Sequence, residues 1–113
     1  MDCIFCKIVN KEIPATIRYE DDDILVFDDI NPKAPIHLLV IPKKHIPTLN
    51  DIEGDDILLT GKLMEVAKNT AKDLEIDERG YRVVMNCNKE GGQLVYHIHL
   101  HLLGGKQLIW PKL

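Results

Sequence analysis

Apolar and polar positions along this chain follow two different periods. Residues 16–20 alternate in character, which is the period of a half-buried strand. Asp21, Asp22 and Asp23 form a polar turn, and residues 24–29 supply a second apolar run. Residues 37–41 form a third, apolar enough to lie centrally in a sheet. Pro32, Pro35 and Pro42 mark its ends, because proline cannot donate to a sheet ladder. From about residue 55 to 74 the period changes. Leu59, Leu63, Val66, Ala67, Thr70, Ala71 and Leu74 recur at helical spacing, with Lys62, Glu65, Lys68, Asn69, Lys72 and Asp73 on the other face. This predicts one long helix. Gly61 inside it weakens it by about 1 kcal/mol relative to alanine, and Gly80 falls in the exit loop.

Strand character then returns. Residues 81–87 read as a fourth strand, residues 88–92 as a loop, and residues 93–103 as a long fifth strand ended by Gly104 and Gly105. Residues 3–9 suit a short helix lying over the sheet. The order of strands, helix and strands, with hairpin-like links, predicts an α+β architecture around an antiparallel sheet of about five strands.

Composition narrows the class. One domain spanning residues 1–113 is the expectation for this length. The chain is 45% hydrophobic and 28% charged, as expected of a globular protein. Its net charge of −4 argues against nucleic acid as a partner, which normally meets a basic face. No apolar run approaches the roughly 20 residues that span a bilayer, so no membrane association is expected. The first residues lack the charged-then-apolar order of a signal segment. The expected location is the reducing cytoplasm, where Cys3, Cys6 and Cys87 read as thiols or ligands.

The chemistry concentrates in residues 97–103, His-Ile-His-Leu-His-Leu-Leu, which hold three of the five histidines. On a strand, His97, His99 and His101 share one face at spacings of about 6.7 Å, and Ile98, Leu100 and Leu102 share the other. Three readings stand: a solvated face, a metal site, or an anion site. Imidazoles can ligate zinc, and they can also donate to phosphate oxygens or attack phosphorus. The scarcity of carboxylates nearby, with Glu90 the nearest, favours an anionic substrate. His37 at a strand start, Asn86 at a strand end, Gln93 ahead of the row and Asp29 after the second strand are further candidates. Asp29 suits a ribose hydroxyl. Alone, the Cys3-x-x-Cys6 spacing fits a packed thiol pair, a redox pair or half a zinc site.

The motif His-φ-His-φ-His-φ-φ, with φ apolar, resembles the signature of the histidine-triad family of nucleotide hydrolases and transferases. The resemblance extends to residues 5–14, 29–37, 40–45 and 91–93, and to Gly104-Gly105 followed by Trp110-Pro111. Gly104-Gly105 stands where the dinucleoside polyphosphate hydrolases usually have Pro-Arg, which favours the nucleotide-binding, phosphoramidase branch.

The resemblance implies a hydrolase of purine nucleoside 5′-phosphoramidates. His99 would attack the α-phosphorus and form a nucleotidyl-histidine, and water would then release the monophosphate. His101 and His37 would orient the phosphate and tune the nucleophile. Asn86 and Gln93 would bind the phosphate side, Asp29 the ribose, and Phe27 and Ile30 the base. It implies no cofactor for catalysis, and a homodimer that extends the sheet across a two-fold axis. Some members carry a structural zinc ion on a cysteine pair and two histidines, here Cys3, Cys6, His45 and His97, which would give His97 a structural role. Cys87 is expected to be buried packing. The alternatives are a dinucleoside polyphosphate hydrolase and a nucleotide-binding regulatory module with incidental catalysis. Two departures stand out. Leu94 occupies a position where such proteins commonly have serine, and the chain ends Trp-Pro-Lys-Leu where relatives often have Trp-Pro-Pro-Gly.

Overall fold

A computed structural model describes residues 2–110; the tail residues 111–113 lie outside them. Among the described residues, α1 (Ile4–Val9) leads into β1 (Ile17–Glu20), β2 (Ile24–Asp28) and β3 (Ile36–Pro42), then α2 (Asp56–Asp73), β4 (Arg82–Val84) and β5 (Leu100–Gly104). The strands form one antiparallel sheet in the order β1-β2-β3-β5-β4. This is the α+β architecture that the pattern predicts, with one long and one short helix.

The period-two alternation sorts each central strand between two layers. Ile24 and Val26 of β2, Leu38 and Val40 of β3, and Leu100 and Leu102 of β5 pack with Ile98 against Leu63, Val66, Ala67 and Ala71 of α2. Their alternates Leu25, Phe27, Leu39 and Ile41 pack against Phe5 and Ile8 of α1 on the opposite face. Burial of that helix therefore rests on a few large side chains.

The structure shortens two predicted strands. β4 covers only 82–84, so Asn86 follows the strand instead of ending it. β5 begins at Leu100, not at Gln93. Its partner β3 ends at Pro42, and the register stops where Val40 faces Leu100. His97 and His99 have no ladder partner, although the alternation of faces continues through them: Ile98 is in the α2-side core. The backbone N–H of Ile98 instead donates to the carbonyl of Ile46 at 2.8 Å. Asp29 likewise lies just past β2, and Cys87 is half-buried rather than buried.

Gly105 closes β5 with φ +89°, and a Cβ there would press to 3.0 Å against Pro35. Only glycine adopts that backbone without strain. At Gly91 a Cβ would collide with the carbonyl oxygen of Cys87, so the 88–92 loop folds tightly back under its own backbone. Among the described residues no helix is long and apolar enough to cross a membrane.

Candidate active site

The α1 side of the sheet carries the histidine row. Above it opens a cavity of about 370 Å³, lined by Ile4, Phe5, Ile8, Ile13, Phe27, Leu39 and Val95 on its apolar side. Asp28, Asp29, Asn31, Asn86, Gly92, His99 and His101 supply its polar side, and Ile30 and Leu94 stand at its rim, 89% and 91% exposed.

Backbone groups fix the tautomers of His97, His99 and His37, and His37 in turn fixes that of His101. His97 Nε2 lies 2.7 Å from the Pro42 carbonyl. A carbonyl can only accept, so Nε2 carries the proton and Nδ1 holds the lone pair. His99 Nδ1 lies 2.8 Å from the carbonyl of His97. By the same argument Nδ1 donates, and the lone pair sits on Nε2 of a ring that lines the cavity. His37 is fixed in the opposite sense: its Nδ1 accepts from the Lys33 backbone N–H at 3.0 Å. Its Nε2–H then donates to His101 Nδ1 at 2.9 Å, which leaves the His101 proton on Nε2.

These rings are neutral. Burial pushes His99 and His37 below the ordinary imidazole range, and it brings His97 and His101 down to about 4. A neutral buried imidazole keeps its lone pair available, which a nucleophile or a ligand requires. His99 and His101 stand edge to face, with centroids 4.9 Å apart. Asp29 Oδ2 lies 3.4 Å from His37 Nε2, and its Oδ1 accepts from the Asn31 N–H at 2.7 Å.

His97 belongs to a different cluster. Its Nδ1 lies 3.4 Å from Cys3 Sγ, 3.6 Å from Cys6 Sγ and 3.3 Å from His45 Nδ1, and Cys6 Sγ lies 3.4 Å from His45 Nδ1. One lone pair cannot accept from three donors at once. The set converges on a shared centre instead. Zinc bonds of about 2.3 Å to sulfur and 2.0–2.1 Å to nitrogen place tetrahedral S···N pairs about 3.5 Å apart and N···N pairs about 3.3 Å apart. The observed separations match, so Cys3, Cys6, His45 and His97 fit such an ion. The Pro42 carbonyl on His97 Nε2 is the outer partner that orients a ligating ring. Asp29, His37 and His101 also approach one another closely. There the Lys33 N–H puts the His37 proton on Nε2, between the rings, so this group is a hydrogen-bond chain and not a ligand set.

The structure thus brings His99, His101, Asp29, Phe27, Ile30 and Asn86 around one cavity, with His37 behind His101 and outside the lining. Gln93 is not among them. It is buried, its Oε1 accepts from the Asn88 N–H, and its Nε2 donates to the carbonyls of Pro47 and Val95. Its amide holds the 88–95 segment in place. Phe5 is a site residue that the pattern alone missed. It stands edge to face on His97, His99 and Phe27, with centroids 5.8, 5.1 and 5.5 Å away. Its only sequence signal is a place in a short amphipathic helix beside the cysteine pair.

Comparison with known proteins bears on the family of the chain. Residues 2–109 match the family model described as scavenger mRNA decapping enzyme C-term binding. The chain is 49% identical over 107 residues to the purine nucleoside phosphoramidase of Escherichia coli K12, covering 95% of this chain and 90% of that protein. It superposes on a crystal structure of a HIT family hydrolase from Legionella pneumophila with a TM-score of 0.95 at 56% identity, covering 97% of this chain and 98% of the other. A histidine triad protein from Clostridium difficile gives a TM-score of 0.95 at 48% identity, over 99% and 97% of the two chains. The fold, the row of imidazoles and these likenesses agree: the chain belongs to the histidine-triad (HIT) family.

Proposed function

We propose that the chain hydrolyses the P–N bond of purine nucleoside 5′-phosphoramidates, releasing the nucleoside monophosphate and an amine. The observation that carries this reading is the His99 tautomer: its proton is spent on the His97 carbonyl, so a neutral Nε2 lone pair belongs to the cavity. In the first step Nε2 bonds to phosphorus, and the P–N bond breaks with its electron pair passing to nitrogen. The departing amine takes up a proton. In the second step water adds to phosphorus, passing its proton to the Nε2 of His101 that the amine had deprotonated, and the P–Nε2 bond breaks, restoring both His99 and His101. Splitting one displacement into two lowers each barrier. His101, whose Nε2–H is set by His37, serves the phosphoryl oxygens and the leaving nitrogen as donor. Asp29 suits the ribose hydroxyls, and Phe27, Ile30, Ile4 and Ile8 offer an apolar slot to the base.

The family likeness to a purine nucleoside phosphoramidase supports the substrate class. Cys3, Cys6, His45 and His97 would hold a zinc ion, which supplies a structural cross-link and no chemistry at phosphorus. The chain acts as a homodimer in this reading. Exposed Ile57, Leu58 and Met64 on α2, together with the open edge of β4, offer apolar and ladder surface for a second copy.

The test is His99→Ala with adenosine 5′-phosphoramidate. AMP release should fall by at least about a thousandfold while AMP binding survives, and quenched wild-type turnovers should yield nucleotide bound to His99. Undiminished turnover in the variant would end this reading. A higher kcat/KM on dinucleoside polyphosphates would favour the other hydrolase branch, and binding without turnover would favour a regulatory module.

A further inference from the structure

The reaction at phosphorus uses neither Cys3, Cys6 nor His45. Yet Cys3 caps α1 and Cys6 lies within it, and α1 is a wall of the cavity. Ile4, Phe5 and Ile8 all line it. That helix has six residues, far fewer than the roughly 12–15 at which an isolated helix becomes even marginal. It is held by the burial of Phe5 and Ile8, and by whatever joins Cys3 and Cys6 to His45 and His97. His97 does not depend on that junction. Its Nε2–H is anchored on Pro42, the next N–H on Ile46, and its own carbonyl on His99. The nucleophile therefore keeps its orientation if the thiols let go, while the wall over it loses its fastening.

We propose that Cys3, Cys6, His45 and His97 form a removable metal clip in which a thiophilic divalent cation of the zinc type fixes α1 as a wall of the nucleotide pocket, so that metal occupancy sets nucleotide affinity and leaves the chemical step alone. This rests on reading the cavity as the nucleotide site. It makes the triad's first histidine a link between two functions: its side chain closes the clip, and its carbonyl orients the attacking ring.

The experiment compares the full chain loaded with Zn²⁺, the same chain after chelation, and a Cys6→Ala variant. Three quantities are read: the Kd for AMP, the kcat and KM for adenosine 5′-phosphoramidate, and amide hydrogen exchange along the chain. Chelation and Cys6→Ala should each raise Kd and KM by about tenfold or more, with kcat within about twofold. Exchange should accelerate in residues 4–9 and stay unchanged in α2 and β3. Returning Zn²⁺ should restore the wild type and not the variant. The proposal is overturned by any of four outcomes: no Zn²⁺ uptake, unchanged Kd, a fall in kcat at constant KM, or loss of protection throughout the sheet. If AMP affinity follows the metal but the loaded chain releases no AMP from the phosphoramidate, the hydrolase reading fails and the clip stands. If hydrolysis is intact and affinity ignores the metal, only the clip fails.

Discussion

His37 Nε2 and His101 Nδ1 lie 2.9 Å apart, across the β3–β5 pairing that sets His37 opposite Leu103 and Leu39 opposite His101. The bond runs from His37 to His101 because the Lys33 N–H occupies the other nitrogen of His37. In the proposed mechanism His101→Ala removes the donor itself, and a positioned proton donor contributes about 10²–10⁴-fold. His37→Ala removes only the group that sets the His101 proton. The expected order in kcat on adenosine 5′-phosphoramidate is wild type, His37→Ala, then His101→Ala, with steady-state kinetics as the check. A larger loss at His37 than at His101 would contradict the direction of the chain.

The depressed imidazoles give a pH signature. His101 sits at about 4 in the fold, against about 6.5 for a free histidine. The folded state thus holds fewer protons than the unfolded chain between those values, so stability rises with pH across the interval. The contribution is fully present above about pH 6.5 and is lost as pH falls toward 4. Urea midpoints from pH 7 down to 4 should decline for the wild type, and less steeply for His101→Gln. Equal slopes would show that this ring is not held neutral.

Gln93 separates a structural amide from a phosphate ligand. Gln93→Ala leaves the Asn88 N–H and the Pro47 carbonyl without their partner. An orphaned buried group costs about 1–3 kcal/mol. The thermal midpoint should drop, and AMP affinity should change only as far as the 88–95 segment shifts. A raised Kd for AMP with an unaltered midpoint would instead make Gln93 a ligand.

Leu94 is 91% exposed at the cavity rim, so Leu94→Ser should leave stability within about 0.5 kcal/mol, as for other exposed substitutions. In the proposed mechanism serine adds a hydroxyl donor beside the leaving group. The variant should gain kcat on phosphoramidates of basic amines, which need protonation most, and gain little on weakly basic ones. A series of amine leaving groups measures that slope, and parallel lines for the two proteins would remove any leaving-group role for position 94.

The long helix is legible because seven positions repeat at its period, and its observed bounds fall within a residue or so of the pattern. The two faces of the histidine row are equally legible, since alternation reports which way each side chain points. Alternation does not report pairing. Residues 93–99 alternate as well as 100–103 do, but the ladder to β3 stops at Val40 and Leu100 although β3 runs on to Pro42, and no pattern in either segment alone records that. The divided use of the row is carried by distant partners: Pro42 and Cys3 for His97, Lys33 for His37. Gln93 misleads for a related reason, because an amide looks the same in sequence whether it faces a ligand or three backbone groups.

The unpaired stretch between Gly92 and Leu100 has a consequence for how this chain can change in length. One residue added or lost between His99 and Leu100 would exchange the faces upstream of it. The rings of His97 and His99 would then enter the α2-side core, and aliphatic side chains would face the cavity. The proposed nucleophile and the proposed metal ligand would be lost together. Two residues would keep the faces but move His99 away from His101, with which it is now in edge contact. A change of length is therefore tolerable in the flanking turns and not between His97 and His101.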